Sequence, residues 1–195
     1  MKILHLAVSF LTLVLAGCAG GYTRVGPGPV AVSGKTVTIT ARNAWNKVPS
    51  AGQATRWQES WTQNGPLLDL VTFVGGLPEG EALVKQKDKD ARQVPAFQAG
   101  MTPEDLVSMI EANYRIGGIN VFEVNAVEPS PFLGTTGIRM DYSFVGLDRL
   151  PRRGRCLLGV VDKKLYVVRL DGESSHYFAA ALPDFEQMVD SAALR

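Results

Sequence analysis

The residue types that most often carry acid–base or nucleophilic chemistry are scarce in this chain. The sequence contains two histidines, His5 and His176, and two cysteines, Cys18 and Cys156. A serine–histidine triad on a nucleophile elbow would need a G-x-S-x-G motif, which the sequence lacks. A Cys156–His176 pair remains, but Cys156 lies in an apolar run where its thiolate is disfavoured. We therefore expect no catalysis that depends on histidine.

Paired carboxylates are a second possible source of acid–base chemistry. They occur at Glu79/Glu81, Asp88/Asp90 and Asp184/Glu186. Glycoside hydrolysis needs two carboxyl groups at a set separation, which sequence alone does not show. The first two pairs lie in a segment without regular hydrophobic spacing, and the third suits a helix N-terminus. We expect no catalytic residue and predict that the protein is not an enzyme.

The N-terminal segment has the features of a secretory signal peptide, predicted over residues 1–17. Lys2 supplies a positive charge, and residues 3–15 form a mostly apolar run that is too short to span a bilayer. The four residues Leu15-Ala16-Gly17-Cys18 resemble the lipobox of bacterial lipoproteins. This resemblance implies cleavage before Cys18, a diacylglycerol on its thiol and acylation of the new amino group.

A lipidated Cys18 would decide both the location and much of the chemistry of the mature chain. Two membrane signals give stable anchoring, so we predict membrane attachment through Cys18 without a transmembrane helix. In such lipoproteins, Ala19 rather than an aspartate implies the outer membrane of a diderm bacterium, facing the periplasm; a monoderm source would imply the outer face of the plasma membrane. Cleavage removes His5, and Cys156 becomes the only free thiol, so we expect no metal site, no cofactor and no intramolecular disulfide.

The balance of charge argues against nucleic-acid binding. Lys2 is the only charged residue in the predicted signal peptide, so the mature chain has a formal net charge of zero. The one local excess of positive charge lies between two predicted strands and comprises Arg149, Arg152, Arg153 and Arg155. These arginines form either a solvated hairpin loop or a tip that contacts lipid headgroups, an anionic polymer or an acidic partner.

Two segments and two tryptophans suggest how a binding domain is arranged. Residues 18–33 are rich in glycine and proline, which indicates a flexible tether before a single domain over 34–195. Residues 75–100 are irregular and long enough to form a flap over a site. Trp57 and Trp61 have even spacing in one predicted strand, so we expect them on one sheet face, either as packing residues or as a ligand platform.

The hydrophobic spacing predicts strands and two helices. Strands are expected at 36–41, 55–62, 67–74, 120–128, 136–145, 155–161 and 164–170. One helix follows Thr102, with Leu106, Met109, Ile110 and Asn113 at helical spacing, and the last helix begins at Pro183 after a Leu182 staple. Short links make the later strands antiparallel, with 155–161 in the centre. The expected fold class is α+β, a mostly antiparallel sheet of about six or seven strands with helices packed on it.

This order of elements over residues 34–195 is similar to that of PsbP-like α/β/α sandwich domains. The similarity lies in the early strand that leads to Trp45, the helix at 103–115 and the ending ALPDFEQMV at 181–189. It implies an accessory or binding role and transfers no catalytic residue.

The sequence therefore favours a lipid-anchored envelope protein that binds a protein partner without catalysis. The alternative is a periplasmic domain that binds a small molecule or lipid, with Trp57, Trp61 and residues 75–100 near its pocket. A cavity beneath that segment would favour the alternative. A cleft that gathers Asp141, His176 or paired carboxylates would instead indicate an enzyme.

Overall fold

The computed structural model describes residues 21–86 and 93–195. The predicted signal peptide, Cys18 and the Asp88/Asp90 pair lie outside the described residues. The elements are β1 (Thr23–Val25), β2 (Gly28–Val32), β3 (Val37–Ala41), β4 (Trp45–Lys47), β5 (Gln58–Thr62), β6 (Asp69–Pro78), α1 (Pro103–Ile116), β7 (Phe122–Phe132), β8 (Thr135–Val145), β9 (Pro151–Val161), β10 (Lys164–Glu173), α2 (Tyr177–Asp190) and β11 (Ala193–Leu194).

An antiparallel sheet of eight strands organises the fold. Its order is β1-β4-β5-β6-β10-β9-β8-β7, and a second sheet of three strands has the order β11-β3-β2. The predicted α+β class is confirmed, with one or two more strands in the main sheet than expected. Strand β9 pairs with β8 and β10, which confirms its central position. Its buried residues include Leu157 and Leu158, which contact opposite layers of the core.

Each face of the large sheet is covered by one helix. Helix α2 and the small sheet pack on one face, where Trp61, Phe73 and Phe185 are fully buried. The core on the α1 face includes Ile110 and Met140. The alternation along β8 was a reliable signal, because its buried residues apart from Gly137 are the predicted Ile138, Met140, Tyr142 and Phe144.

Helix α1 follows the sequence closely. Thr102 caps it, since its hydroxyl accepts from the backbone N–H of Asp105 at 3.2 Å while the Asp105 carboxylate accepts from the Thr102 N–H at 2.9 Å. This capping box satisfies N–H groups that have no partner within the helix. The predicted stripe of Leu106, Met109, Ile110 and Asn113 is buried.

The segment expected to be a flexible tether differs from the prediction. Within 18–33, residues 23–25 and 28–32 form strands, and Val30 pairs with Ile39 in the small sheet. Val32 is fully buried. The hydrophobic alternation covers only two valines next to Pro29, so it was too short to stand out. An edge strand tolerates proline, which has no N–H, because one side of the strand has no neighbouring strand to receive a hydrogen bond.

Helix α2 begins at Tyr177, six residues before the start predicted at Pro183. Pro183 lies inside the helix on an exposed position. It lacks the N–H that would bond the carbonyl four residues earlier, so proline is normally a helix-start signal. Leu182 is consequently a helical residue and not a staple before the helix. Burial of Phe178 and Ala181 outweighs the lost hydrogen bond.

Strand β7 forms one outer edge of the large sheet and carries two prolines. Pro129 and Pro131 are both exposed, and among the strands that the structure describes β7 pairs only with β8. Glu123 and Glu128 are also exposed on this strand.

Candidate functional site

The four arginines expected to form one tip have different environments. Arg152 is only 6% exposed, and its guanidinium donates to the carbonyl of Leu67 at 2.7 Å and to Asp148 at 2.6 Å. Arg155 donates to both carboxylate oxygens of Asp141, at 2.6 and 2.8 Å, and also to Glu186. Two of the four cations are therefore paired.

The other two arginines are exposed but lie apart. Arg149 occupies the β8–β9 turn with a φ of 66°, and the guanidinium of Arg153 lies 5.0 Å from the ring centre of Phe178. Successive side chains of β9 alternate between faces, so Arg153 and Arg155 face α2 while Arg152 faces the other way. The four arginines do not make a continuous basic patch.

The two tryptophans also do not form the shared ligand platform that the sequence suggested. Trp61 is fully buried on the α2 face, where its Nε1 donates to Glu59 at 2.9 Å and its ring packs edge-on to Phe73. Trp57 packs against the core on the opposite face. The prediction of a shared face was wrong because Trp57 precedes β5, so strand alternation does not extend to it.

The residues considered for catalysis are dispersed. His176 is exposed at the start of α2, whereas Cys156 is fully buried in β9, where burial raises the pKa of its thiol. Asp141 is paired with Arg155. Within residues 21–86 and 93–195, no group of three or more histidine, cysteine or acidic side chains could hold a metal ion.

The segment expected to be a flap is anchored at both described ends. Residues 75–78 continue strand β6, and Ala82 bridges to Ala96. Leu83 and Phe97 are buried in the α1-side core. Residues 87–92 of this predicted flap lie outside the described residues.

A cavity lies between this segment, α1 and the large sheet. Its inner part has a volume of about 140 Å³ and contains the polar side chains of Gln58, Thr72, Asn113, Tyr114 and Arg169. Its apolar wall includes Val74, Leu83 and Val167. An outer groove of about 640 Å³ shares Gln58, Val84 and Asn113 with it and includes Gln53 and Lys85. Small-ligand pockets commonly measure about 300–1,000 Å³.

Arg169 is the cation of this cavity and is incompletely paired. Its Nε is buried without a hydrogen-bond partner, and it lies 3.6 Å from Asp171 Oδ2. Its guanidinium stacks 5.1 Å from the ring centre of Tyr114. Burial opposes its charge, but Tyr114 and Asp171 raise the pKa of Arg169 above its usual value. The guanidinium is therefore charged at neutral pH.

Two tyrosine hydroxyls donate hydrogen bonds to Asp171, the carboxylate that would otherwise neutralise Arg169. The hydroxyls of Tyr114 and Tyr142 donate to Asp171 Oδ1 at 2.6 and 2.7 Å. Burial raises the pKa of both tyrosines well above the usual 10.0, with Asp171 acting in the same direction. Both phenols are therefore neutral donors, and Asp171 divides its negative charge between them and Arg169.

Two amide oxygens complete the polar lining. Asn113 donates its Nδ2 to the carbonyl of Met109 at 2.8 Å, which fixes the amide orientation and leaves its buried Oδ1 without a partner. Gln53 likewise donates to the carbonyl of Val48 at 2.9 Å and leaves Oε1 unpartnered. The lining of the cavity and groove thus combines two cations, Arg169 and Lys85, with two amide side chains whose oxygens have no hydrogen-bond partner. The sequence contained the signals, an asparagine in an apolar stripe and an arginine in an apolar strand, but not their convergence.

Comparison with known proteins identifies the fold and no family. No protein-family profile matches the sequence, and no curated protein matches it. The Ran-binding protein Mog1p of Saccharomyces cerevisiae is similar in structure, with a TM-score of 0.51 and 10% identity over 89% of this chain and 95% of Mog1p. This likeness shows a shared fold.

Two further solved structures are more distantly similar. The PsbP protein of Synechocystis, CyanoP, has a TM-score of 0.47 and 12% identity, covering 92% of this chain and 96% of CyanoP. LpqN, which is involved in cell envelope biogenesis of Mycobacterium tuberculosis, has a TM-score of 0.35 and 10% identity, covering 92% of this chain and 87% of LpqN. In the part of the chain that the structure describes, neither helix has the length and hydrophobicity needed to cross a membrane.

Proposed function

We propose that this chain is a lipid-anchored envelope protein whose domain binds a small organic anion, without catalysis, in the cavity beside α1. The observation that carries the proposal is that Arg169 and Asn113 line one cavity, while the buried Arg169 Nε and Asn113 Oδ1 have no hydrogen-bond partner. A buried polar group without a partner costs about 1–3 kcal/mol. A ligand that satisfies both groups would recover that free energy on binding.

The lining defines the chemistry of the ligand. A carboxylate or phosphate matches the Arg169 guanidinium, since charge-assisted hydrogen bonds are the strong ones. An amino or hydroxyl group of the ligand would donate to Asn113, and the wall of Val74, Leu83 and Val167 accepts an apolar body. The adjoining groove is also lined by Lys85 and Val94.

The location is part of the proposal and is supported by the N-terminal sequence. The lipobox at Leu15–Cys18 supports lipidation of Cys18 and attachment to the envelope, and Ala19 supports the periplasmic side of an outer membrane in a diderm bacterium. Binding of a protein partner was the function that the sequence favoured, with small-molecule binding as the alternative. The arginines expected to form its contact surface are divided between two faces and partly paired, so the geometry favours the cavity.

Four small organic anions that differ in size and functional group test the ligand site. Benzoate, 4-aminobenzoate, indole-3-acetate and phenyl phosphate are titrated into the full-length lipidated protein in detergent micelles, with NMR following the Arg169 Nε–H resonance and the α1 amides. At least one anion is expected to shift these resonances, and Arg169→Met should weaken its binding about 10-fold or more, because a hydrogen bond to a charged group is worth about 1.5–3 kcal/mol.

The matched control is Arg155→Met, which removes an arginine from the adjacent strand on the opposite face. It should leave anion binding unchanged, and neutral benzamide should bind more weakly than benzoate. The proposal is refuted if none of the four anions shifts the Arg169 or α1 resonances, or if both arginine variants weaken binding equally.

A further inference from the structure

The floor of the ligand cavity continues along one row of the large sheet. Arg169 of β10 is paired with Thr72 of β6, and Thr72 is paired with Ser60 of β5. Residues paired across neighbouring strands have their side chains on the same face, so these three form one row on the α1 face. Neighbouring strands are about 4.8 Å apart, so Ser60 lies about 10 Å from Arg169 along the row.

A further groove begins at the Ser60 end of this row. It has a volume of about 590 Å³ and lies between residues 48–52, which follow β4, and the β5–β6 turn; we call it the side groove. Gln58 lines the side groove, the inner cavity and the outer groove. Leu70 of the side groove precedes Thr72 by two residues, so it lies on the same sheet face about 7 Å away. The cavity and the side groove therefore share one floor.

The two ends of this floor differ in chemistry. The cavity end contains the charged Arg169 and the amide of Asn113. Apart from Gln58 and Ser60, the side groove is lined mainly by apolar side chains, which include those of Val48, Pro49, Ala51, Pro66 and Leu70. A ligand that spans both ends would therefore need an anionic head and an apolar tail.

The hydroxyl groups between the two ends already have hydrogen-bond partners. The Ser60 and Thr72 hydroxyl oxygens lie 3.2 Å apart, and the Ser60 hydroxyl accepts from Gln58 Nε2 at 3.0 Å. Both side chains are buried. An apolar chain can therefore cross this part of the floor without leaving a polar group newly unpartnered, which would be costly.

The size of the inner cavity also points to a ligand that extends beyond it. Its volume of about 140 Å³ is below the roughly 300–1,000 Å³ that is common for small-ligand pockets. The outer groove contains Lys85 and the amide of Gln53, so it suits a polar group. The side groove is the neighbouring space that suits an apolar one.

We propose that the anion bound at Arg169 is an elongated aliphatic acid, whose chain crosses the row of Thr72 and Ser60 and lies in the side groove. The inference rests on the proposed function and names the class of ligand that the cavity takes. It predicts that affinity rises with the length of the chain, since each added CH₂ group is removed from water in the side groove.

Unbranched acids of increasing length test this inference. Butanoate, hexanoate and octanoate are titrated at neutral pH into the full-length lipidated protein in lipid nanodiscs, and NMR follows the Arg169 Nε–H resonance. Equilibrium dialysis gives the free concentration of each acid and so corrects for uptake by the nanodisc lipids. Octanoate should bind about 10-fold or more tightly than butanoate, because each fully buried CH₂ group is worth about fourfold in affinity.

A variant that fills the side groove separates this site from other apolar surfaces. Ala51 is exposed and lines the side groove, so Ala51→Trp places a bulky ring where the chain would lie. It should reduce the ratio of octanoate to butanoate affinity to less than about threefold, because the added CH₂ groups then stay in water. The matched control is Ala179→Trp, at an exposed position of α2 on the opposite face of the sheet, which should keep the full ratio.

Failure of the inference and failure of the proposed function give different results. Octanoate that binds no more tightly than butanoate, or a ratio that both tryptophan variants change equally or leave intact, would overturn the elongated ligand. The proposed function would still stand if butanoate shifted the Arg169 resonance and Arg169→Met weakened its binding. If none of the three acids shifted that resonance, the anion site would itself be refuted, and the inference with it.

Discussion

At the scale of single residues, the cluster around Asp171 combines one carboxylate, one cation and two neutral phenols. Tyr114 and Tyr142 donate to the same oxygen of Asp171, and their two hydroxyl oxygens lie 2.8 Å apart. Because both phenols remain protonated in the folded chain, they stay available as donors across the neutral and mildly alkaline range. The cluster thus keeps Arg169 in position beside the cavity.

The raised pKa values of these tyrosines predict loss of stability at high pH. Above pH 10 an unfolded tyrosine ionises while the buried one does not, so each such residue lowers the unfolding free energy by up to about 1.4 kcal/mol per pH unit. The contribution is fully retained below the unfolded pKa of about 10, and it is lost as the pH rises from there to the folded pKa. Urea unfolding at pH 9, 10 and 11 measures the slope.

The variant Tyr142→Phe isolates this effect. It removes one ionising group, so its stability should fall less steeply between pH 10 and 11 than that of the natural chain. Tyr22→Phe, at an exposed position, is the control and should keep the natural slope. Equal slopes for all three chains would show that the buried phenols do not control alkaline stability.

The residues of the cavity were only partly predictable from sequence. Asn113 was recognisable as a polar member of an apolar helical stripe, and Arg169 is a single charge within the apolar strand Leu165–Leu170. Neither signal shows that the two side chains line the same cavity, since Asn113 and Arg169 are 56 positions apart in the sequence. The pairing of Arg152 with the Leu67 carbonyl was equally invisible, because it joins two turns that are far apart in sequence.

At the scale of elements, Asp184 attaches α2 to the loop between β3 and β4. Its carboxylate is buried and accepts from the backbone N–H groups of Arg42 and Asn43, at 2.5 and 3.1 Å, and from Trp45 Nε1 at 2.7 Å. The sequence suggested that Asp184 serves a helix N-terminus. The structure instead places it in the middle of α2, with a role in tertiary attachment.

Replacement of Asp184 should therefore destabilise the whole domain. Asp184→Ala removes three hydrogen bonds to a charged group and leaves the buried indole N–H of Trp45 unpartnered, so we expect a loss of about 3 kcal/mol or more in unfolding free energy. Urea unfolding followed by tryptophan fluorescence measures it. Asp190→Ala, on an exposed position of the same helix, should change stability by less than about 0.5 kcal/mol. Similar losses in both variants would contradict the attachment role.

At the scale of the whole molecule, the N-terminal strands belong to the folded domain. Strand β1 pairs with β4 in the large sheet, and β2 pairs with β3 in the small one. The N–H of Ser33 donates to buried Glu59 at 3.1 Å. These contacts connect the part of the chain nearest the predicted anchor directly to both sheets.

Truncation to the boundary predicted from sequence should consequently be costly. A chain that begins at Gly34 loses β1 and β2, including the buried Val32, and burial of one such side chain is worth about 1.5–3 kcal/mol. With the lost pairing, we expect at least about 3 kcal/mol less stability than for a chain that begins at Gly21. Urea unfolding of the two chains gives the difference. Equal midpoints would show that residues 21–33 contribute nothing to folding.

The overall class and most elements were predictable because their signals are local. Strand β8 alternates over its whole length, and α1 has both a cap and an apolar stripe. The predictions failed where long-range contacts decide the outcome: Val32 gains its burial from the rest of the domain, Pro183 is carried inside a helix by the packing around it, and Trp57 lies outside the strand that its spacing suggested.

The two prolines of β7 have a consequence for how copies of the domain behave when they are crowded together. An exposed sheet edge can template the addition of a strand from a neighbouring molecule, which leads to fibres and aggregates. Pro129 and Pro131 have no N–H to offer such a strand, and exposed Glu123 would repel a like-charged copy of the same edge, whereas Glu128 is paired with Arg139. The lipid anchor that we propose would bring such edges close together on a membrane surface, and the prolines of β7 would hinder polymerisation there.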